Sequence, residues 1–373
     1  MTIQKQAGFW FAALLATAFF LWLFSGILLP FVAALALAYL LDPVADRLEK
    51  LGLGRLGATL VILLAFVLVL VLVLVLILPL VVRELTAFLE LMPEYVARLQ
   101  SLLVERGAPL LDYLGIEVAG PELQRNIGDI VSQGAGYLGT VLGTLLASGQ
   151  TVLSVFSLLV LTPIIAFYLL VDWDRMVATV DGWLPLRNRD TVRRLAREID
   201  DVLSRFIRGQ ATLCLILGGF YALALTVIGL NFGALIGLLA GLLSVIPYVG
   251  SITGLLLSVG VAIVQFWPDW PWVLAALAIF LFGQFVEGNF LSPKLLGGAV
   301  GIHPVWLMFA LFAFGSLFGF VGLLLAVPLA AMVGVLTRFA LARYLQSPFY
   351  DPAIGRLQKR DAAPARTPED RDA

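Results

Sequence analysis

Charge is what this chain has least of. Asp, Glu, Lys and Arg make up 13% of its 373 residues, about half the share of an ordinary soluble domain. So few ionic groups cannot keep a surface of normal size in water. With 61% of its residues hydrophobic, the chain reads as a multi-spanning membrane protein. Thiols and imidazoles are scarcer still. One cysteine, Cys214, and one histidine, His303, exclude an intramolecular disulfide and leave too few ligands for a zinc site. No metal and no cofactor are expected. The net charge of −1 lacks the basic surplus that phosphates demand, so no nucleic-acid partner is expected. H-E-x-x-H and Walker phosphate loops are also absent, which argues against an enzyme and against energy drawn from bound ATP.

What is present is apolar chain in long runs. A bilayer core of about 30 Å takes roughly 20 helical residues. Phe9 to Leu41 holds no charge over 33 residues, and Pro30 near its middle removes a backbone donor. The run reads as two short spans, 9–28 and 30–42, rather than as a signal peptide, because further spans follow directly. Asp42-Pro43 to Arg55 reads as a charged loop, and the uncharged Leu/Val-rich stretch 57–82 as a lipid-facing span. These form an N-terminal unit, 1–82.

The next segment, 83–150, carries four basic against eight acidic residues. Leu85, Phe88, Leu89, Met92, Tyr95, Val96, Leu99 and Leu102 recur every three or four residues, the mark of an amphipathic helix. A second such helix is expected from Leu123 to Leu145. A span over 151–171 follows. Segment 172–209 holds eight arginines and seven acids. Its stripe Val192, Leu195, Ile199, Val202, Phe206 and Ile207 makes a basic amphipathic helix, which either lies on an anionic membrane surface or packs on its own protein. Basic residues concentrate here and in 337–373, so these segments and both termini are expected in the cytoplasm and 83–150 outside. The Pro/Arg/Asp-rich tail, 341–373, reads as disordered.

From Asn231 to Leu336, 106 residues carry three formal charges, Asp269, Glu287 and Lys294. The apolar chain is interrupted there. Gly233, Gly237 and Gly241 form a small-xxx-small stripe that lets helices approach closely in lipid. Pro247, Tyr248, Gly250 and Ser251 then break the helix. Gly315, Gly319 and Gly322 repeat the design, with Pro328 beyond. Broken helices in two similar segments, within a core of 210–340, point to a transporter site, the alternative being two tight hairpins with no transport role. Gln284, Glu287, Asn289, Pro293 and Lys294 supply polar groups at or just inside a membrane boundary. An ionisable group in lipid must find a partner or water, so Glu287 and Lys294 belong either to a solute or proton path or to an interfacial loop. His303, beside Pro304, is read as interfacial.

These residues resemble the autoinducer-2 exporter family of bacterial membrane proteins. The resemblance is carried by Ile246-Pro247-Tyr248-Val249-Gly250 with Gly254, by Glu287-Gly288-Asn289-Phe290-Leu291-Ser292-Pro293-Lys294-Leu295-Leu296-Gly297, and by Val300-Gly301-Ile302-His303-Pro304. It continues in Gly319-Phe320-Val321-Gly322-Leu323-Leu324-Leu325-Ala326-Val327-Pro328. Upstream, Ala38-Tyr39-Leu40-Leu41-Asp42-Pro43, Phe167-Tyr168-Leu169-Leu170-Val171-Asp172 and Phe206-Ile207-Arg208-Gly209-Gln210 also look like family positions. Ser251 departs from it, where a second proline is common. The resemblance implies about eight spans, export of small molecules including the furanone-type signal autoinducer-2, similarity of some members to sodium(lithium)/proton antiporters, and homo-oligomers, pentamers among them.

The expected protein is thus an all-α membrane protein of about eight transmembrane segments, several broken or hairpin-like, with amphipathic surface helices. The expected partners are a small-molecule solute, membrane lipids and further copies of the chain. Its expected function is export of a small polar solute across the bacterial cytoplasmic membrane. A sodium(lithium)/proton antiporter using Glu287 and an oligomeric membrane scaffold are the alternatives.

Overall fold

The structure, a computed structural model, describes residues 16, 19–102, 149–186, 189–296, 303–346 and 350. Every element among them is helical, and seven helices are long and apolar enough to cross a membrane. The expected second amphipathic helix of the insert and the tail beyond 350 lie outside the described residues.

Helix α1 spans Leu28–Lys50 and follows a 3-10 turn at Ser25–Ile27. The break thus falls just before Pro30. That proline sits in the first turn, where its missing N–H has no helical partner to lose. The expected charged loop from Asp42 is instead helix as far as Lys50, with only Leu51–Gly54 as a turn. Two contacts explain the correction. Asp42, Asp46 and Glu49, spaced four and three apart, share one helix face, and the Arg55 guanidinium meets all three at 2.8, 2.9 and 3.3 Å. Pro43 cannot donate to the carbonyl of Tyr39 four residues earlier, and Arg208 Nε donates to that oxygen at 2.9 Å. A proline inside the helix is tolerated because an arginine 169 residues away replaces its proton.

Helix α2, Arg55–Leu102, merges the expected span 57–82 and the first amphipathic helix into one rod of 48 residues. At 1.5 Å per residue it is about 70 Å long, more than twice a bilayer core. Its far part turns Leu85, Ala87, Phe88 and Tyr95 onto the central core. Helix α3, Gly149–Gly182, packs Ala166 against Ala34, Leu37 and Leu63, forming an N-terminal bundle with α1 and α2.

Helix α4, Arg189–Val227, is one continuous rod through both the basic amphipathic stretch and the span after it. Arg193 reaches Asp181 at 2.6 Å, and Arg189 also pairs with that carboxylate, fixing the α3–α4 corner. The apolar stripe of α4 does pack on its own protein. Val202 is buried against Ala331 and Val335, with Leu195 and Ile199 beside it.

The punctuated third wraps the other half of α4. Helix α5, Gly233–Leu243, is 11 residues long, about 16 Å and too short to cross alone. A turn at Ser244–Tyr248 returns the chain as α6, Val249–Phe266, and α7 follows over Trp270–Val286. The stripe of α5 faces α4 at backbone distance. A Cβ on Gly237 would stand 2.1 Å from Ala222 N, and one on Gly241 2.2 Å from Gly218 Cα. Gly233 abuts the Leu225 backbone in the same way. Tyr221 of α4 stacks on Phe280 of α7 at 4.3 Å between centroids. Gly283 leaves room for the tyrosine ring.

Helix α8, Pro304–Leu345, is two arms joined at Gly319, whose φ of 59° and ψ of −137° are not helical. Such a backbone suits glycine alone. Gly322 lies against the Phe314 carbonyl and Gly315 against the Leu323 side chain, so the arms fold back closely beside the bend. Pro328 is buried within the second arm.

Two outcomes follow for detergent-solubilised protein. Arg208→Met leaves the Tyr39 carbonyl unpaired and lowers stability by about 1–3 kcal/mol. Adding Pro43→Ala restores most of it, because the alanine supplies the missing N–H; equal loss in single and double variants argues against this account. Gly241→Ala lowers the melting temperature by driving α4 and α5 apart. Gly219→Ala, next to open space, leaves it unchanged or higher.

Candidate functional site

Two adjacent residues of α4 hold the α5–α6 turn and the chain after α7. Gly209 lets the chain after α7 approach so closely that a Cβ there would stand 2.6 Å from the Leu295 carbonyl oxygen. Gln210, 8% exposed, donates from Nε2 to the Ser244 carbonyl at 2.7 Å. Ser244 ends α5, where the last helical carbonyls have no donor of their own. The glutamine therefore caps the helix break from the side. Ser244 Oγ donates to the Ala240 carbonyl at 2.7 Å.

The break itself is strained. Tyr248 has a φ of 68°, a left-handed conformation that is uncommon for a bulky side chain. Pro247 before it is half-buried and Tyr248 is exposed, while Gly250 packs on the Ser244 backbone. Ser251 Oγ donates to the Tyr248 carbonyl at 3.2 Å, closing the turn locally.

On the other side, residues Glu287–Leu291 form a π-helical turn, and Ser292–Leu295 a single helical turn after it. A π-turn shifts the register by one residue and is frequent where a helix serves a site. Gln284 Nε2 donates to Glu287 Oε2 at 2.8 Å and lies 3.5 Å from the Tyr221 hydroxyl. Through Gln284 the carboxylate is tied to Tyr221 of α4, thirteen residues beyond Arg208, so it stands beside the stretch of α4 that carries no charge. Among the described residues it makes no ion pair with Lys294. Lys294, Pro293 and Asn289 are exposed, and Asn289 Nδ2 donates to the Phe285 carbonyl at 2.9 Å.

The residues singled out in the sequence thus form two groups. Pro247, Gly250, Ser251, Gln284 and Glu287 belong to elements joined at the α4 crossing, whereas Asn289 on the π-turn and Pro293 and Lys294 on the helical turn after it are exposed. Gly209, Gln210 and Tyr221 complete the arrangement and were not assigned to it from sequence. For Gln210 a signal existed, since it is an uncompensated amide placed directly where the arginines of α4 stop. Tyr221 carried none.

Next to this crossing, at Arg208, a polar cavity of about 240 Å³ is lined by Tyr39, Asp42, Trp173, Asp200 and Ser204. The Tyr39 hydroxyl donates to Asp200 Oδ1 at 2.7 Å. A polar vestibule therefore adjoins the crossing.

Residues 11–341 match the family described as AI-2E family transporter. The chain is similar to "Putative transport protein YrrI" of Bacillus subtilis, 31% identical over 83% of this chain and 85% of that protein. It is similar to "Putative permease PerM" of Escherichia coli K12, 32% identical over 83% and 86%. "AI-2 transport protein TqsA" of the same strain is 27% identical over 83% and 85%. A match over residues 11–341 makes this chain a member of the AI-2E transporter family.

Proposed function

We propose that this membrane transporter is a secondary exporter. It carries a small, uncharged solute with hydrogen-bonding groups outward across the bacterial cytoplasmic membrane, with both termini inside. An autoinducer-2-like signal is one such solute, as the name of one relative suggests. The observation that carries the reading is the crossing at Gly209–Gln210, where the α5–α6 turn and the chain after α7 touch one helix at one level. Interrupted helices expose main-chain dipoles in lipid, and they persist where a passing solute or a partner group uses them. Helix ends of both signs converge here, and the Gln284 amide and Glu287 carboxylate lie further along α4 beside Tyr221.

A second reading takes Glu287 as the exchanging carboxylate of a cation/proton antiporter. Its position beside the uncharged stretch of α4, with one neutral partner, favours it: an ionised carboxylate costs about 2.5–3.5 kcal/mol near a bilayer centre, so protonation there is coupled to ion or solute binding.

Inverted vesicles separate these readings. With an imposed proton gradient, solute export predicts metabolite accumulation that Glu287→Gln reduces at least about tenfold, the scale of one lost charge-assisted hydrogen bond, while expression and oligomer size hold. Lys294→Ala, on the exposed turn, reduces it less. Full uptake in both variants removes these residues from the path. Sodium-driven proton movement in dye-quench assays, abolished by Glu287→Gln and without solute uptake, selects the antiporter. Neither flux, with proteins co-purifying, selects a scaffold.

A further inference from the structure

Beside the polar vestibule, with Leu35 in both walls, lies a second cavity, of about 500 Å³, within the range of small-molecule sites. It is an open-sided cavity lined by α1, α2, α3, α4, the start of the α5–α6 turn at Val245, and the second arm of α8. The N-terminal bundle and the broken segments meet in its wall. Thr162 and Gln210 are the two polar side chains that line it, and none is charged.

The polar groups have a defined sense. Gln210 must present Nε2 to the Ser244 carbonyl, since only a donor can bond there. Its Oε1 is thereby left as an acceptor, with no donor from the protein among the described residues. The side chain is more than nine-tenths buried, where an unmet acceptor is costly. Two prolines add acceptors. Pro163 and Pro328 cannot supply the N–H groups that the Leu159 and Leu324 carbonyls would ordinarily receive, and all four residues line the cavity. The Thr162 hydroxyl is shielded and has no hydrogen-bond partner.

We infer that this cavity binds an uncharged amphiphile. The hydroxyl or amide donor of the ligand meets Gln210 Oε1, and its apolar body lies against the leucine and phenylalanine wall. An anion would face mostly acceptors, with the shielded Thr162 hydroxyl as a donor, and an ion of either sign would find no counter-charge. A purely apolar molecule would leave the glutamine oxygen unmet. Because the bound molecule would touch both Gln210 and Val245, it lies against the residue that holds the Ser244 carbonyl at the break. As a statement about cargo the inference rests on the transport reading. As a binding site it stands without it.

The test is photolabelling of the intact protein in nanodiscs by a medium-chain alkanol carrying a diazirine, with no gradient applied. Label is expected to concentrate on segments 158–163, 206–211 and 324–328. The parent alkanol should compete about tenfold better than its methyl ether, which has lost one hydrogen bond, and better than the alkanoate of equal length. Ala36→Trp, which fills the cavity, should remove the label, whereas Leu72→Trp on the lipid-facing side of α2 should not. Label spread along Leu72, Leu76 and other lipid-facing residues overturns the proposal. So does equal competition by the ether, which would mark an acyl-chain groove. The alkanol–ether comparison uses the unaltered chain and holds if a variant fails to fold. Site-specific labelling without solute flux in the vesicle assay would remove the transport reading and leave the binding site standing.

Discussion

A carbonyl in lipid without a donor is the constraint from which most of this structure follows. Water cannot repair such a gap, so the protein must. Tyr39, deprived of its helical donor by Pro43, receives Arg208 Nε at 2.9 Å. Ser244, at the end of α5, receives Gln210 at 2.7 Å. Gly229, in the turn between α4 and α5, receives Gln265 Nε2 at 2.7 Å, and Gln265 Oε1 accepts from Asn231 N at 2.7 Å. Each donor comes from another part of the chain, so each local defect becomes a long-range tie. Prolines and turns that look like weak points in the helices serve as the fasteners between them.

The same logic explains why α4 is the axis. Apolar side chains bring little driving force to helix association in lipid, where tails are equally apolar. Close backbone approach and hydrogen bonds must do the work. The glycines of α5 put its backbone against Gly218, Ala222 and Leu225, Gly209 admits the Leu295 carbonyl, and Gly283 admits the Tyr221 ring. Basic groups at one end of α4 and small residues along the rest let a single rod carry the N-terminal bundle, the α5–α6 hairpin, α7 and the second arm of α8.

The proposed site lies where these ties converge. Gln210 lines the apolar cavity two residues along α4 from Arg208 of the polar vestibule, and it holds the broken hairpin in place. Glu287 lies on a π-turn, bonded to one amide. A helix terminus held by a single side chain can be released by a competing ligand more readily than an intact helix can be bent, because only one hydrogen bond is exchanged. An uncharged ligand with a donor suits such a device, since it can satisfy the glutamine without bringing a charge into lipid.

Much of this was legible in the chain alone. Charge scarcity and run length determined the all-α membrane class. The Gly-xxx-Gly stripe, Pro247 and Gly319 located both breaks, because glycine and proline act through backbone geometry that needs no neighbour to be understood. The amphipathic stripe of α4 was visible too, though not what it covers. The tertiary structure alone decided that Asp42 to Lys50 is helix, since only the folded chain brings Arg55 and Arg208 to it. It alone joined the span and amphipathic parts of α2 and of α4, left Glu287 and Lys294 unpaired with each other, and placed Gln210 beneath Ser244. These outcomes rest on hydrogen bonds and ion contacts between residues far apart in sequence, whose strength depends on distances that no local pattern encodes.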